Sequence, residues 1–225
     1  MNKTTKTKTT EVNEDTKFDS IYESQASMEI QNYRGYIGGK WEVIGGLQFA
    51  FMLKQGLAKS HKFIDVGCGS LRGGHHFINY LYANNYYGLD INKSLILSGI
   101  KNELSEISKM KVTFEKNFTA NSNFDFPFDT KFDYGIGLSL FTHLSHPKIA
   151  KCLKKLNKVF NVNGEFYATI FLPNSPTVPT YANKDPFHYT IDEITNLGLD
   201  ANWSVDFIGD FGHPLHQQMV KFTKK

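Results

Sequence analysis

Phe63-Ile64-Asp65-Val66-Gly67-Cys68-Gly69-Ser70-Leu71-Arg72-Gly73-Gly74 is the stretch from which the fold of this 225-residue chain can be read. Ile64 and Val66 mark the end of a buried parallel strand. Gly67 and Gly69 allow a tight turn in which backbone approaches a ligand with no side chain between them. An apolar helix, Gly74 to Tyr82, follows at once. Strand, glycine turn and helix N-terminus together predict a ligand cradle at the carboxyl end of a parallel sheet.

Two details narrow the ligand. In the dinucleotide fingerprint a third glycine lets the helix pack beneath a pyrophosphate. Counted from Gly67, that glycine falls at position 72, which is Arg72. The second detail is a pair of acids, Asp65 before the turn and Asp90 at the end of Tyr86-Tyr87-Gly88-Leu89-Asp90. A carboxylate at the tip of the second strand can accept both hydroxyls of a ribose. An acid just before the turn suits a ligand with a cationic end. S-adenosylmethionine has a ribose, an ammonium and a sulfonium, and no phosphate.

The flanking sequence repeats the strand-helix alternation. Residues 1–18 are rich in Thr, Lys and Glu, which predicts a disordered tail. Residues 19–225 read as one domain, an N-terminal helical cover over 19–60 and a core over 61–225. A short helix is expected at Ile21–Ile30, a glycine-bearing loop at Tyr33–Gly39, and an amphipathic helix at Trp41–Gln55, stopped by Gly56. Strands are expected at Lys62–Val66, Tyr86–Leu89, Lys111–Phe114, Phe132–Leu138 and Glu165–Phe171. Helices at Gly74–Tyr82, Asn92–Ile107 and Pro147–Phe160 separate them, and residues 117–130 read as a polar loop. After a helix at Ile191–Leu197, strands at Trp203–Ile208 and Gln217–Phe222 are joined by a link too short for a crossover, so they run antiparallel. The fold class is α/β: a Rossmann-like, seven-stranded, mostly parallel sheet with a C-terminal antiparallel hairpin, in a three-layer sandwich.

Composition excludes several classes. Hydrophobic residues make up 40% of the chain, with 19 Phe and 11 Tyr, enough for one globular core. The formal charge of +3 is small and partly borne by the two ends. No basic stripe is visible, so no nucleic-acid partner is expected. Cys68 and Cys152 give no disulfide framework. With no apolar signal core and no uninterrupted run of apolar residues long enough to span a bilayer, a cytoplasmic protein without membrane insertion is expected.

Four pieces occur in family order and spacing across about residues 60–172. They are Asp65-Val66-Gly67-Cys68-Gly69, Gly88-Leu89-Asp90, Phe132 to Ser139, and Asn163 to Thr169. Over this span the chain resembles a class I S-adenosylmethionine-dependent methyltransferase. A second set of pieces is similar to a bacterial group that accompanies surface-polysaccharide assembly. It comprises Gly38 to Trp41, Ile44 to Gln48, Ser70 to Gly74, Phe141 to Leu144, Asp185 to Tyr189 and Gly209 to Pro214. The resemblance implies methyl transfer from S-adenosyl-L-methionine, with S-adenosyl-L-homocysteine as product. It also implies O-methylation of a small or carbohydrate-like acceptor, such as a surface-glycan (capsule) precursor. A phosphorylated or phosphoramidate acceptor would suit Arg72 and the histidines.

On that resemblance the cofactor residues follow. Asp65, Gly67 and Gly69 belong round the methionine end, with Ser139 beneath it, and Cys68 and Arg72 count among the cofactor residues. Asp90 takes the ribose hydroxyls and Ile91 faces the adenine. Asn117 and Phe118 contact the adenine, and Gln48 reaches in from the covering helix. Removing a hydroxyl proton calls for a base, and ligands of open α/β sheets lie beyond the carboxyl ends of the strands. His143, a few residues past the fourth strand, is the first candidate, with packing against the next helix as its structural alternative. His188 sits in the loop after the fifth strand, where Phe187 and Tyr189 can anchor the loop or line the acceptor pocket. His213 and His216, with Arg72, can form a cationic rim or an ordinary turn. His143/His146 and His213/His216 have spacings a metal could use. Carboxylates in a ligand-like pattern are few and no zinc-type cysteine spacing exists, so no metal is expected.

Two further readings are weighed. A nucleic-acid amino-methyltransferase would carry an Asn/Asp-Pro-Pro-aromatic stretch after the fourth strand, where this chain has Ser139-Leu140-Phe141-Thr142. A non-catalytic module that kept the fold would have no need of intact glycines, Asp90 and polar residues at the acceptor face.

Overall fold

The computed structural model describes residues 32–173, 175 and 185–225. The expected tail over residues 1–18 and the helix at Ile21–Ile30 lie outside the described residues. The chain opens with α1 (Tyr33–Tyr36) and α2 (Trp41–Lys54), then β1 (Phe63–Val66), α3 (Gly74–Tyr80) and β2 (Tyr86–Asp90). Next come α4 (Lys93–Glu103), α5 (Glu106–Lys109), α6 (Phe114–Asn117), β3 (Phe118–Ala120) and β4 (Phe132–Gly137). A 3-10 turn (Phe141–His143) leads to α7 (His146–Val159), β5 (Phe160–Ile170), α8 (Ile191–Asp200), β6 (Trp203–Asp210) and β7 (Gln218–Lys224).

The strands form one sheet in the order β3-β2-β1-β4-β5-β7-β6. β1 to β5 pair in parallel, and β7 runs antiparallel between β5 and β6. The α/β class and the closing antiparallel strands match the expectation from sequence. β1 and β2 are buried along their whole length, as strands covered on both faces must be. Successive side chains alternate between the two faces. Ile64, Val66 and Phe166 pack with Ile149, Leu153 and Leu156 of α7 and Ile194 of α8. Phe63 and Tyr167 pack on the other face with Met52 of α2, Phe77 of α3 and Ile96 of α4. Each such large side chain contributes about 1.5–3 kcal/mol on burial. Trp203, fully buried, also donates its indole N–H to the Leu153 carbonyl at 3.0 Å.

The structure departs from these expectations at three places. The third strand is Phe118–Ala120, not Lys111–Phe114. Residues 114–117 instead close a helical turn: Asn117 Oδ1 accepts the Thr113 N–H at 3.0 Å and its Nδ2 donates to the Tyr86 carbonyl at 3.0 Å. The Lys111 ammonium is taken up by the carbonyls of Ile78, Asn79 and Leu81. The helix expected over Asn92–Ile107 is broken at Leu104, and Ser105 caps a separate turn. The stretch Tyr33–Gly39, expected as loop, begins with one helical turn.

Two helices meet the Ser70–Arg72 turn backbone to backbone. A Cβ at Gly45 of α2 would lie 2.4 Å from the Arg72 carbonyl oxygen, and one at Gly99 of α4 would lie 2.4 Å from that of Ser70. Glycine at these positions is a packing requirement, because no side chain fits.

Candidate active site

The cradle is held by its own backbone. Gly67 and Gly69 adopt φ of +79° and +52°, a region that side chains with a Cβ enter at a cost. The Gly67 and Cys68 N–H groups donate to the Leu89 carbonyl at 2.7 and 3.0 Å, which folds the turn over the end of β2. There Asp90 Oδ2 accepts the Gly69 N–H and Oδ1 accepts the Asn92 N–H, each at 2.8 Å. Asn92, rather than Asp90, caps α4, with Oδ1 accepting from Ser94 and Leu95. Burial pushes the Asp90 carboxyl up, and the backbone N–H groups of Asn92, Gly69 and Ile91 oppose the shift. Each carboxylate oxygen keeps a lone pair for a ligand hydroxyl.

A cavity of about 590 Å³ opens above this turn. Asp65 lines it, is 5% exposed, and accepts the Tyr86 hydroxyl at 2.9 Å. Burial drives its carboxyl up to about 7, against the pull of the Tyr86 hydroxyl and the Arg72 charge. A buried acid so short of positive charge fits a ligand that brings a cation, as the ammonium and sulfonium of S-adenosylmethionine would. The Cys68 thiol is pushed up by burial and by Asp90 and Asp65, so it is no nucleophile near neutral pH.

The cover is tied down from both ends. Tyr36 and Ile37 line the cavity, and burial, then Asp90, raises the Tyr36 hydroxyl. Arg72 Nη1 donates to the carbonyls of Ile37 and Gly39 at 3.0 and 3.1 Å. Burial lowers the Arg72 guanidinium to about 10, so it stays charged at neutral pH. Arg34 makes a two-point pair with Glu103 of α4, each bond 2.7 Å, and the Tyr33 hydroxyl donates to the same carboxylate at 2.6 Å. Gln48 of α2 lines the cavity and presses on Gly73.

Beyond β4 the lining changes character. Ser139 holds φ of +56°, its N–H donating to Thr169 Oγ1 at 2.7 Å. Gln217 Oε1 accepts the Thr169 hydroxyl at 2.6 Å and the Ser139 hydroxyl at 3.1 Å. The 3-10 turn carries His143 to the rim, held by the Thr142 hydroxyl on the Ser139 carbonyl at 3.0 Å and by the Phe187 N–H on the Thr142 carbonyl at 2.7 Å. The Tyr189 hydroxyl donates to the Leu144 carbonyl beside them. His143 Nδ1 lies 2.6 Å from Asp185 Oδ1. His213, 3% exposed, accepts the Leu215 N–H on Nδ1 at 3.3 Å. Burial first, then Arg72, His216 and Lys40, lowers it to about 4, so the ring is neutral.

Of the residues expected from sequence, the structure brings Gln48, Asp65, Gly67, Cys68, Gly69 and Arg72 to one cavity. Asp90, Ile91, Ser139, His143 and His213 line it too. Three do not. Asn117 is fully buried and bonds backbone, and Phe118 packs over Gly88 inside the sheet. Both assignments failed with the register of the third strand. Asn121 and Ser122, which follow the true strand, take the cavity positions. His188 stacks on Phe171 at 5.5 Å between centroids and does not itself line the cavity. Its catalytic assignment is therefore withdrawn. Sequence reading missed Tyr36, Asn121, Asp185 and Gln217. Only Asn121 carried a usable signal, as the polar residue closing a strand-like Phe118-Thr119-Ala120.

Residues 64–166 match a family model described as a methyltransferase domain. Magnesium protoporphyrin IX methyltransferase from Synechocystis, solved with bound S-adenosylmethionine, is similar over 93% of this chain and 92% of its own, at 13% identity and a TM-score of 0.61. Human N-acetylserotonin methyltransferase, also with S-adenosylmethionine, is similar over 92% of this chain and 58% of its own, at 14% identity and a TM-score of 0.65. A sugar N-methyltransferase from a Streptoalloteichus species is similar over 86% and 91%, at 11% identity and a TM-score of 0.64. Identities this low speak for the fold, and the acceptors in those names belong to those proteins.

Proposed function

We propose that this class I S-adenosylmethionine-dependent methyltransferase methylates a hydroxyl group of a small, carbohydrate-like acceptor, with His143 as the general base. S-Adenosylmethionine is the methyl donor, and when bound it supplies a methyl carbon already activated by the sulfonium. The observation that carries the hydroxyl reading is the His143–Asp185 pair at the cavity rim. In the tautomer that donates Nδ1–H to Asp185, the Nε2 lone pair faces away from Asp185 and can take a proton. A hydroxyl holds its proton at neutral pH and gains from such a base, whereas a neutral amine is already nucleophilic. His143 Nε2 takes the hydroxyl proton as the oxygen bonds to the methyl carbon. The electron pair of the broken carbon–sulfur bond stays on sulfur, and Asp185 offsets the charge of the imidazolium.

The acceptor we favour is a surface-glycan (capsule) precursor. A phosphorylated or phosphoramidate group on it suits the charge of Arg72. Support comes from the similarity of the short pieces between Gly38 and Pro214 to the bacterial group described above. The cytoplasmic setting is supported by two buried, unpaired thiols, Cys68 and Cys152. Among the described residues no helix is long and apolar enough to cross a membrane.

Labelled S-adenosylmethionine and a panel of sugars, sugar phosphates and amino sugars test the reading. A methyl ether is the expected product. His143→Ala should lower turnover by about 10²–10⁴-fold while calorimetric affinity for S-adenosylhomocysteine holds. Methylation of amines alone, or full turnover in the variant, would overturn the base assignment. A protein that binds S-adenosylhomocysteine yet methylates nothing would be the non-catalytic module.

A further inference from the structure

We propose that the loop before β7, through Gln217 and His213, selects a methyl acceptor that carries an oxyanion, a carboxylate or a phosphate; this rests on the acceptor reading above. Gln217 is 3% exposed and lines the cavity. Its Oε1 is filled by two hydroxyl donors, Thr169 and Ser139. The oxygen end of the amide is thereby fixed, and the Nε2 end, with two N–H donors, is what remains for a ligand. His213 lines the same cavity and is as deeply buried. Nδ1 already accepts the Leu215 N–H, so the neutral ring carries its proton on Nε2, and that donor has no partner among the described residues. A buried donor without a partner costs about 1–3 kcal/mol, which a ligand oxygen would restore.

The sheet order sets which ligand these donors face. The ribose acid Asp90 ends β2 and the glycine turn follows β1, whereas Gln217 leads into β7 and is tied to the ends of β4 and β5. That is the side of His143. Charge points the same way: Arg72, which lines the cavity, and Lys40 are the fixed cations that act on His213. The acids that line the cavity are Asp65, Asp90 and the His143 partner Asp185. Asp210, where the loop begins, spends Oδ1 on the Gly212 N–H at 2.9 Å and does not line the cavity. The loop is braced to hold its donors still: the His216 N–H donates to the His213 carbonyl at 2.8 Å, and Phe211 packs on Phe51 and on His213. A wall of fixed donors beside the Arg72 guanidinium recognises oxygen lone pairs with negative charge.

Gln217→Glu is the informative variant. It is isosteric and still accepts from Thr169 and Ser139, but turns the donor end into an acceptor. His213→Phe keeps an aromatic side chain and removes Nε2–H together with the Nδ1 acceptor of the Leu215 N–H. Protein saturated with S-adenosylhomocysteine is titrated with glucuronate, glucose 6-phosphate and glucose. The wild type should bind at least one anionic sugar tenfold or more tightly than glucose, and which of the two distinguishes carboxylate from phosphate. Each variant should cut that preference below threefold and keep its affinity for S-adenosylhomocysteine. Equal affinity for all three sugars in the wild type, or a preference that survives both variants, would overturn the proposal. Loss of S-adenosylhomocysteine binding in both variants would do so too, by assigning the donors to the cofactor. A wild type that does not bind S-adenosylhomocysteine would instead sink the methyltransferase reading beneath it.

Discussion

Asp65→Asn should stabilise the ligand-free protein at neutral pH and abolish its use of the methyl donor. Asp65 is buried with one hydroxyl partner, and its carboxyl is raised from the usual 3.8 to about 7. The sign follows from proton binding. Below pH 3.8 the group is protonated in both folded and unfolded chains and costs nothing. As pH rises toward 7 the unfolded chain loses this proton while the fold retains it, so stability falls by up to about 1.4 kcal/mol per pH unit. Above pH 7 the accumulated cost is about 4 kcal/mol, at 1.4 kcal/mol per tenfold difference in proton affinity. Asparagine has no such titration and can still accept the Tyr86 hydroxyl. Denaturant unfolding of both proteins without ligand, at half-unit steps from pH 4 to 8, reads the difference directly. The variant should gain on the wild type through this window and level off above it. S-Adenosylhomocysteine should narrow the gap, because its ammonium favours the ionised acid. A stability difference that does not change with pH would refute the reasoning, since Asp65 would then titrate alike in folded and unfolded chains.

Other outcomes follow from the same geometry. Asp90→Ala removes the acceptor of two backbone N–H groups and, on the cofactor placement proposed here, of the ribose hydroxyls. Bonds to a charged group are each worth about 1.5–3 kcal/mol, so calorimetry should show S-adenosylhomocysteine affinity falling tenfold or more. Gly99→Ala forces a methyl to 2.4 Å from the Ser70 carbonyl oxygen, and the denaturation midpoint should report a loss of about 1–3 kcal/mol despite the better helix propensity of alanine. Asp185→Asn should lower turnover less than His143→Ala, because the base survives with its tautomer unfixed, and comparison of the two kcat values decides this.

The cradle was legible because its parts are contiguous: Ile64 to Gly74 contains the strand end, the turn and the helix start, and each obeys local rules. The closing hairpin was legible for the same reason, since the length of a link alone excludes a crossover. The third strand was not. Lys111-Val112-Thr113-Phe114 looks strand-like, yet Asn117 reaches back to Thr113 and across to Tyr86, and such side-chain bonds to backbone override local propensity. That slip carried Asn117 and Phe118 with it. Asp185 was hidden by distance along the chain, because 42 residues separate it from His143 and only the fold returns them to contact. Gln217 was hidden for a different reason. Its meaning depends on which end of its amide is already bonded, and composition does not encode that.

The absence of any side chain at Gly45 and Gly99 has a thermodynamic consequence. Cover helix, glycine turn and α4 touch at the limit of atomic contact, so their mutual geometry is fixed by hard repulsion and not by flexible side chains. The site is therefore preorganised where the donor's charged end would sit. The entropy lost on ordering a ligand would fall chiefly on α1, which buries no residue of its own and is held by polar bonds, from Arg34 and Tyr33 to Glu103 and from Arg72 to the carbonyls just beyond it.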